Sequence, residues 1–214
     1  MSTELYLIRH GQSQGNRDRR FLGHTDLDLT PLGYEQAKCA AEFFKNIHID
    51  AVYSSDLKRA FNTAKAIADS KGLVVTPEKG LREIFAGKWE LMTYDDIPRS
   101  FPETWRDWQN ANVPDLKTPD GEKMSELFNR IYETLERIAK AHDFQAVAIG
   151  IHATPIRLMM NHIAGRGLDS LYLTPWVSNA SVTKLIYENN SFSLAFADEC
   201  SHMGALKTSL PSGI

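Results

Sequence analysis

Apolar residues in this chain fall into short uninterrupted runs set between longer amphipathic stretches. The first run is Leu5-Tyr6-Leu7-Ile8, which reads as a buried strand and stops at Arg9-His10-Gly11-Gln12-Ser13. Thr30-Pro31 supplies an N-cap and a proline at the first helical position. Leu32, Gln36, Ala40, Phe43, Phe44 and Ile47 follow at mostly helical spacing, which predicts a helix over about 31–47. Ala51-Val52-Tyr53-Ser54 predicts a second strand. Ala60, Ala64, Ile67 and Ala68 share one face of a helix over about 57–70, closed by Gly72, and Val74 and Val75 point to a third strand.

Residues 85–120 break this rhythm. They hold Trp89, Trp105 and Trp108, four prolines and little periodicity, so they read as a partly helical insertion over one end of the sheet. Leu127, Ile131, Leu135 and Ile138 restore a helix over about 122–142. Ala146 to Ile151 is a fully apolar strand that ends at His152, and a helix over about 155–164 follows. Ser181 to Tyr187 and Phe192 to Ala197 are two late strands joined by Glu188-Asn189-Asn190-Ser191, a hairpin signal. Strands alternating with helices predict an α/β fold, a three-layer α/β/α sandwich whose mostly parallel central sheet has an antiparallel edge. The expected organisation is one domain over 1–214 with a small inserted cap at about 85–120.

Composition adds exclusions. At 214 residues with 43% hydrophobic and 24% charged content, the chain is long enough for a sizeable core without disulfide or metal support. Its longest apolar run is far too short to span a bilayer, and Glu4 and Arg9 interrupt the first apolar stretch, so no membrane or secretory segment is expected. Cys39 and Cys200 form no CxxC pair, and two reduced thiols suit a cytoplasmic protein. A net charge of -3 argues against a nucleic-acid partner bound through a basic surface. A local arginine cluster for a small anion remains compatible with it.

Ligands of open α/β sheets gather beyond the carboxyl ends of the strands. Two apolar strands here end alike, Leu7-Ile8-Arg9-His10 and Gly150-Ile151-His152, so His10 and His152 are expected to converge. A lone histidine is more often a surface or hydrogen-bonded core residue, but two at matched topological positions favour a site.

The segment Leu7 to Ser13 resembles the Arg-His-Gly signature of the histidine phosphatase (phosphoglycerate mutase-like) superfamily. Further matches come in the family's order. They are Asn16; the loop and helix start from Phe21 to Asp26 and from Leu29 to Gly33; Tyr53 to Ala60 with Thr63-Ala64; Leu81-Arg82-Glu83 with Gly87 to Glu90; Asp120-Gly121-Glu122; and His152. They cover residues 5 to about 160. The resemblance implies a metal-independent phosphomonoester hydrolase of small phosphorylated metabolites that needs no cofactor and works through a phosphohistidine. A mutase-type phosphoryl transfer or a non-catalytic regulatory member are the alternatives. A homodimer is compatible with it.

The resemblance makes His10 the nucleophile, a neutral imidazole whose other ring nitrogen a backbone carbonyl at Gly11 would hold as N–H. Arg9 and Arg59 would clamp phosphoryl oxygens, His152 would assist as imidazolium, and Asn16 would donate a neutral hydrogen bond. Gly11, His24 and Ala153 join the expected phosphate and substrate contacts. Glu83 would protonate the leaving group and then deprotonate water, which asks for a raised pKa. Family members commonly carry glycine after the second histidine, where this chain has Ala153-Thr154. Phosphate contact survives there if the backbone is ordinary.

Other patterns fit poorly. Asp26-Leu27-Asp28-Leu29-Thr30 matches the DxDxT of haloacid-dehalogenase-type phosphatases, but no buried strand leads into Asp26. The glycine spacing of Gly80 to Lys88 is wrong for a P-loop, and there is no HExxH or Cys/His cluster for zinc. Short length favours hydrolysis over a shielded mutase. Trp89, Met92, Tyr94, Phe101, Trp105 and Trp108 either pack the insertion or line an apolar pocket. Arg17, Arg19, Arg20 and His24 either select a second anionic group or, by default for the arginines, are solvated charges, His24 being first among them to touch substrate. His202 is a candidate to approach from the C-terminal end, whereas His48, His142 and His162 have no motif around them.

Overall fold

A computed structural model describes residues 2–208. Strands β1 (Ser2–Arg9), β2 (Ala51–Ser54), β3 (Val75–Pro77), β4 (Ala146–Ile151), β5 (Val182–Glu188) and β6 (Ser191–Glu199) form one sheet in the order β3-β2-β4-β1-β5-β6. β1 through β4 run parallel, and β5 and β6 add the antiparallel side. The longer helices are α2 (Pro31–Phe43), α3 (Lys58–Lys71), α5 (Pro102–Asn110), α6 (Met124–Ala141) and α7 (Ala153–Ile163), with one-turn helices α1 (Gln14–Arg17) and α4 (Ile97–Ser100) between them.

The alternation of side chains along β1 builds two cores. Leu5 and Leu7 face a cluster with Leu127, Ile131, Ile156 and Met159 of α6 and α7. Tyr6 and Ile8 face the opposite cluster, with Ala40 of α2 and Ala64 and Ile67 of α3. Both faces of the central strand are therefore covered, as its uninterrupted apolar run requires. The result is the expected α/β/α arrangement.

Differences from the sequence expectation are local. α2 ends at Phe43, four residues early, because single turns such as Ile47 N–H to Phe44 carbonyl (2.9 Å) replace the helix. These turns lead Phe44 and Ile49 into the core. Val74 lies outside β3 and is 83% exposed. α7 starts at Ala153, with Pro155 in its first turn where a missing N–H costs nothing. Asn189 and Asn190 both have positive φ (52° and 58°), the conformation of a tight I′ hairpin.

The 85–120 segment packs around Phe21. The Phe21 ring meets Trp89 at 5.6 Å, Trp108 at 5.2 Å and Tyr94 at 6.2 Å, all near edge-on. Trp89, Trp105 and Trp108 are all buried here, and of this segment's aromatics Tyr94 and Trp108 line the cavity described below, together with Phe21. No helix among the described residues is long and apolar enough to cross a membrane.

Candidate active site

Strand register brings the two histidines together. β1 and β4 pair in parallel with Arg9 opposite Ile151, so His10 and His152, each one residue further on, emerge side by side. Their ring centroids lie 5.2 Å apart. Arg59, in the first turn of α3, arrives from the neighbouring β2 end. A cavity of about 60 Å³ opens there, lined by Arg9, His10, Asn16, Arg59, Glu83 and Ala153 at the chemical end. Arg20, Leu22, Tyr94, Trp108 and Trp176 line the remainder.

His10 is held for attack. Its Nδ1 sits 2.7 Å from the Gly11 carbonyl oxygen. A carbonyl only accepts, so Nδ1 carries the proton and Nε2 keeps its lone pair. Burial, with Arg59 and Arg9 adding repulsion, holds the ring well below the ordinary histidine pKa and hence neutral. Gly11 itself has no spare N–H, because that group donates to Thr63 Oγ1 (3.0 Å). Gly11 thus orients the nucleophile and does not contact phosphate, a correction to the expectation. A Cβ on Gly11 would stand 2.5 Å from the Gly33 carbonyl oxygen, so only glycine fits.

Positive charge is concentrated and unpaired. Arg9 and Arg59 are each 1% exposed. Arg59 donates to the carbonyls of Gly23 (2.7 Å) and Thr25 (2.8 Å), and Arg9 donates through Nη1 to the Val177 carbonyl. Neither makes a salt bridge among the described residues, and burial brings each guanidinium down only to about 10, still cationic at neutral pH. Arg9 Nε and His152 Nδ1 are buried with no hydrogen-bond partner. Orphaned buried donors beside two unpaired cations are what an anion would satisfy. Asn16 Oδ1 accepts from Ser13 N–H (3.1 Å) and Asn179 Nδ2 (3.3 Å), which leaves its NH₂ as the end available to a ligand.

His152 is expected as imidazolium beside a phosphate, and the protein's own groups set its starting state. Its Nε2 meets Ser55 Oγ at 2.9 Å, and burial together with Arg59 and His10 pushes its pKa well below the ordinary value. The protein's own groups hold it neutral. Ala153, the first residue of α7, has helical backbone, so the missing glycine distorts nothing.

Glu83 sits at the mouth. One carboxylate oxygen accepts from Ile84 N–H (2.9 Å) and the other from Thr154 N–H at the start of α7 (3.3 Å). Burial raises its pKa, and this outweighs those two donors and the nearby Arg59. Its neighbour Arg82 is drawn away to Asp56 (2.6 Å). Arg130, paired with Glu122 (2.8 Å), donates to the carbonyls of Gly80, Arg82 and Glu83 and so fixes the segment that carries the acid.

His24 is corrected too. Its Nε2 bonds the Glu83 carbonyl (2.9 Å) and its ring packs on Phe85, so it supports the acid's backbone and does not line the cavity. Arg17 and Arg19 pair with Asp18 and Asp95 at the surface, and of these arginines only Arg20 lines the cavity. His202 Nε2 donates to the Ala180 carbonyl (3.1 Å) and its ring lies tilted against Phe43, away from the lining. Asp26 and Asp28 sit in a loop, where they accept from Lys58 N–H and Asn62. Among the described residues no group of three or more His, Cys, Asp or Glu is placed to hold a metal.

Sequence reasoning missed Ser55, Arg130, Trp176 and Asn179. Asn179 Nδ2 donates to the His10 carbonyl at 3.0 Å. Ser55 alone had a signal, as the residue just past the end of β2.

The buried neutral histidines predict an acid-sensitive fold. Their folded pKa values lie below the unfolded value of about 6.5, so the stability they contribute is complete above that pH and is lost as pH falls below it. Each fully shifted group steepens the loss by up to ~1.4 kcal/mol per pH unit. Urea unfolding of His152→Asn should therefore depend less on pH between 6.5 and 5 than that of the parent protein (range set by the reference pKa, about 6.5). Parallel pH dependence would refute this assignment.

The family model of the histidine phosphatase superfamily (branch 1) matches residues 5–199. Phosphoserine phosphatase 1 of Hydrogenobacter thermophilus is 34% identical over 169 residues, 79% of this chain and 80% of that protein. Phosphoglycerate mutase-like protein 4 of Arabidopsis thaliana is 30% identical over 204 residues, 94% of this chain and 86% of that protein. The solved structure of Bacillus stearothermophilus YhfR superposes with a TM-score of 0.89 at 28% identity, covering 94% of this chain and 99% of that one.

Proposed function

The chain belongs to the histidine phosphatase superfamily and is a phosphoric monoester hydrolase; from that premise we propose how its residues divide the reaction. The phosphoryl oxygens take Arg9, Arg59, His152 and the Asn16 amide. His10 Nε2 attacks phosphorus, the bond to the ester oxygen breaks, and Glu83 gives its proton to that oxygen. The phosphoryl group is then on His10. Glu83, now a carboxylate, takes a proton from water, the resulting hydroxide attacks phosphorus, and His10 leaves as neutral imidazole. No step draws on a metal, because the two guanidiniums supply the charge that a metal would. The observation that carries this reading is the His10 ring, neutral and fixed by the Gly11 carbonyl, facing two buried cations that make no salt bridge among the described residues.

The cavity is small, about 60 Å³, so the phosphoryl group fills its floor and the leaving group meets the rim residues Arg20, Tyr94, Trp108 and Trp176. A small phosphorylated metabolite fits this shape. The net charge of -3 supports a small substrate over a nucleic acid, and two free thiols support a cytoplasmic setting. The mutase-like relative makes transfer to a second substrate the competing outcome. A partly exposed Glu83 and an exposed Arg20 at the rim support water as the acceptor. A panel of phosphorylated metabolites ranked by kcat/KM, with 2- and 3-phosphoglycerate included, separates the two. Phosphate release that persists in EDTA, without interconversion of the phosphoglycerates, is expected. Interconversion faster than release, or loss of activity in EDTA, contradicts the reading.

A further inference from the structure

α7 carries two buried polar residues one turn apart, Arg157 and Asn161, between the apolar Ile156, Leu158 and Met159. Arg157 is 7% exposed, and no carboxylate pairs with it among the described residues. It donates instead to the carbonyls of Thr174 (2.6 Å) and Leu171 (2.8 Å). Its guanidinium carbon lies 4.2 Å from the ring centroid of Trp176. Asn161 ties the same segment, donating to the Gly167 carbonyl (2.8 Å) and accepting from Thr174 Oγ1 (2.9 Å). A buried cation without an anion is costly, and an aliphatic side chain would fill this volume at less expense. What the guanidinium does that an aliphatic chain cannot is hold two carbonyls and one indole face in fixed relation.

That relation reaches the cavity. Trp176 lines it and stacks on Trp108, with centroids 6.3 Å apart and planes at 26°. The next residue, Val177, offers the carbonyl that receives Arg9, and Asn179 holds the His10 carbonyl. We infer that Arg157 is a positioning residue that sets the Trp176 ring as a wall for the leaving group, giving this site a preference for phosphomonoesters whose leaving group presents a flat apolar face. The inference rests on the reading of the cavity as the phosphomonoester site.

Calorimetric titration with phenylphosphonate and methylphosphonate tests it without turnover. The parent protein should bind the phenyl ligand about tenfold or more tightly than the methyl one, the size of one aromatic contact. Arg157→Met and Trp176→Ala should each cut that preference to about twofold, weakening the phenyl ligand more than the methyl one, and the double variant should lose no more than either alone. Arg157→Lys, which keeps the charge without the fork, should restore only part of it. If Arg157→Met does not fold, Arg157→Lys decides in its place, and an undiminished preference in it overturns the inference. Equal weakening of both ligands, an unchanged preference in Arg157→Met, or no preference in the parent protein overturns the inference. A parent protein that shows the preference, with an Arg157→Met variant that loses it, yet releases no phosphate from p-nitrophenyl phosphate refutes hydrolysis while upholding the role of Arg157. One that binds neither phosphonate refutes both.

Discussion

Replacing His10 with alanine is expected to lower phosphate release by about 10⁴-fold or more, the scale of loss when a covalent nucleophile is removed and the rest of its site is kept. The reason is geometric. Among the described residues that line the cavity, no other side chain offers a neutral lone pair held in one orientation. His152 is neutral as well, but its Nε2 is engaged by Ser55 and its buried Nδ1 is required as a donor. Arg9, Arg59 and Asn16 remain in the variant, so affinity for inorganic phosphate should change little. Loss therefore falls on kcat and spares binding. A labelled phosphoenzyme, labile in acid and stable in alkali as a phosphorus–nitrogen bond is, should be trapped from the parent protein and be absent from the variant. A variant within tenfold of the parent rate, a margin of about 1.4 kcal/mol in the barrier, would falsify the nucleophile assignment.

Glu83→Gln is expected to split the reaction in two. An alkyl ester needs a proton on its departing oxygen, so kcat/KM for such substrates should fall by about 10²–10⁴-fold. A nitrophenyl ester departs without that help. The variant should transfer its phosphoryl group to His10 at near the parent rate and then stall, because no base activates water. Stopped-flow measurement should show one equivalent of nitrophenolate released in a burst, followed by slow turnover. The pH profile fixes the sign. Burial raises the Glu83 pKa above the usual carboxylate value, so its acid form is present below that raised value and lost as pH rises through it. Where leaving-group departure limits the rate, parent activity on alkyl esters should decline on the alkaline side of that pKa, and the glutamine variant should be low and flat there. A variant without a burst, or an unchanged alkaline limb, would assign the proton transfers elsewhere.

Much of this site was readable in the sequence for a physical reason. Arg9, His10 and His152 stand where apolar strands end, and Arg59 follows a strand by a few residues, so topology places all four. Glu83 came only through its surrounding motif, since a single carboxylate beside Arg82 carries no periodic signature. The missed residues share a different origin. Trp176 and Asn179 lie on an irregular segment between α7 and β5, and their positions depend on Arg157, Asn161 and the backbone of His10. Arg130 lies on an ordinary amphipathic helix, and its three carbonyl partners come from a chain segment far away in sequence. His24 and Gly11 were in the right motifs but were assigned to phosphate, because sequence cannot tell which way a backbone N–H or an imidazole is already committed. The same blindness hid the short turns over Leu168–Leu173 and Ser201–Leu206, which have no repeat for a pattern to follow.

The sheet order has a consequence for how the protein comes into being. β1 is made first, yet it lies in the interior of the sheet, and its neighbours β4 and β5 are synthesised much later. During translation its apolar run has neither partner strand, and the chain must reach past β5 before the long-range ladder can close. The parallel pairing of β1 with β4 is what sets His10 beside His152, so the two cannot meet before β4 has been made, and β1 is the apolar strand that waits longest for its partners.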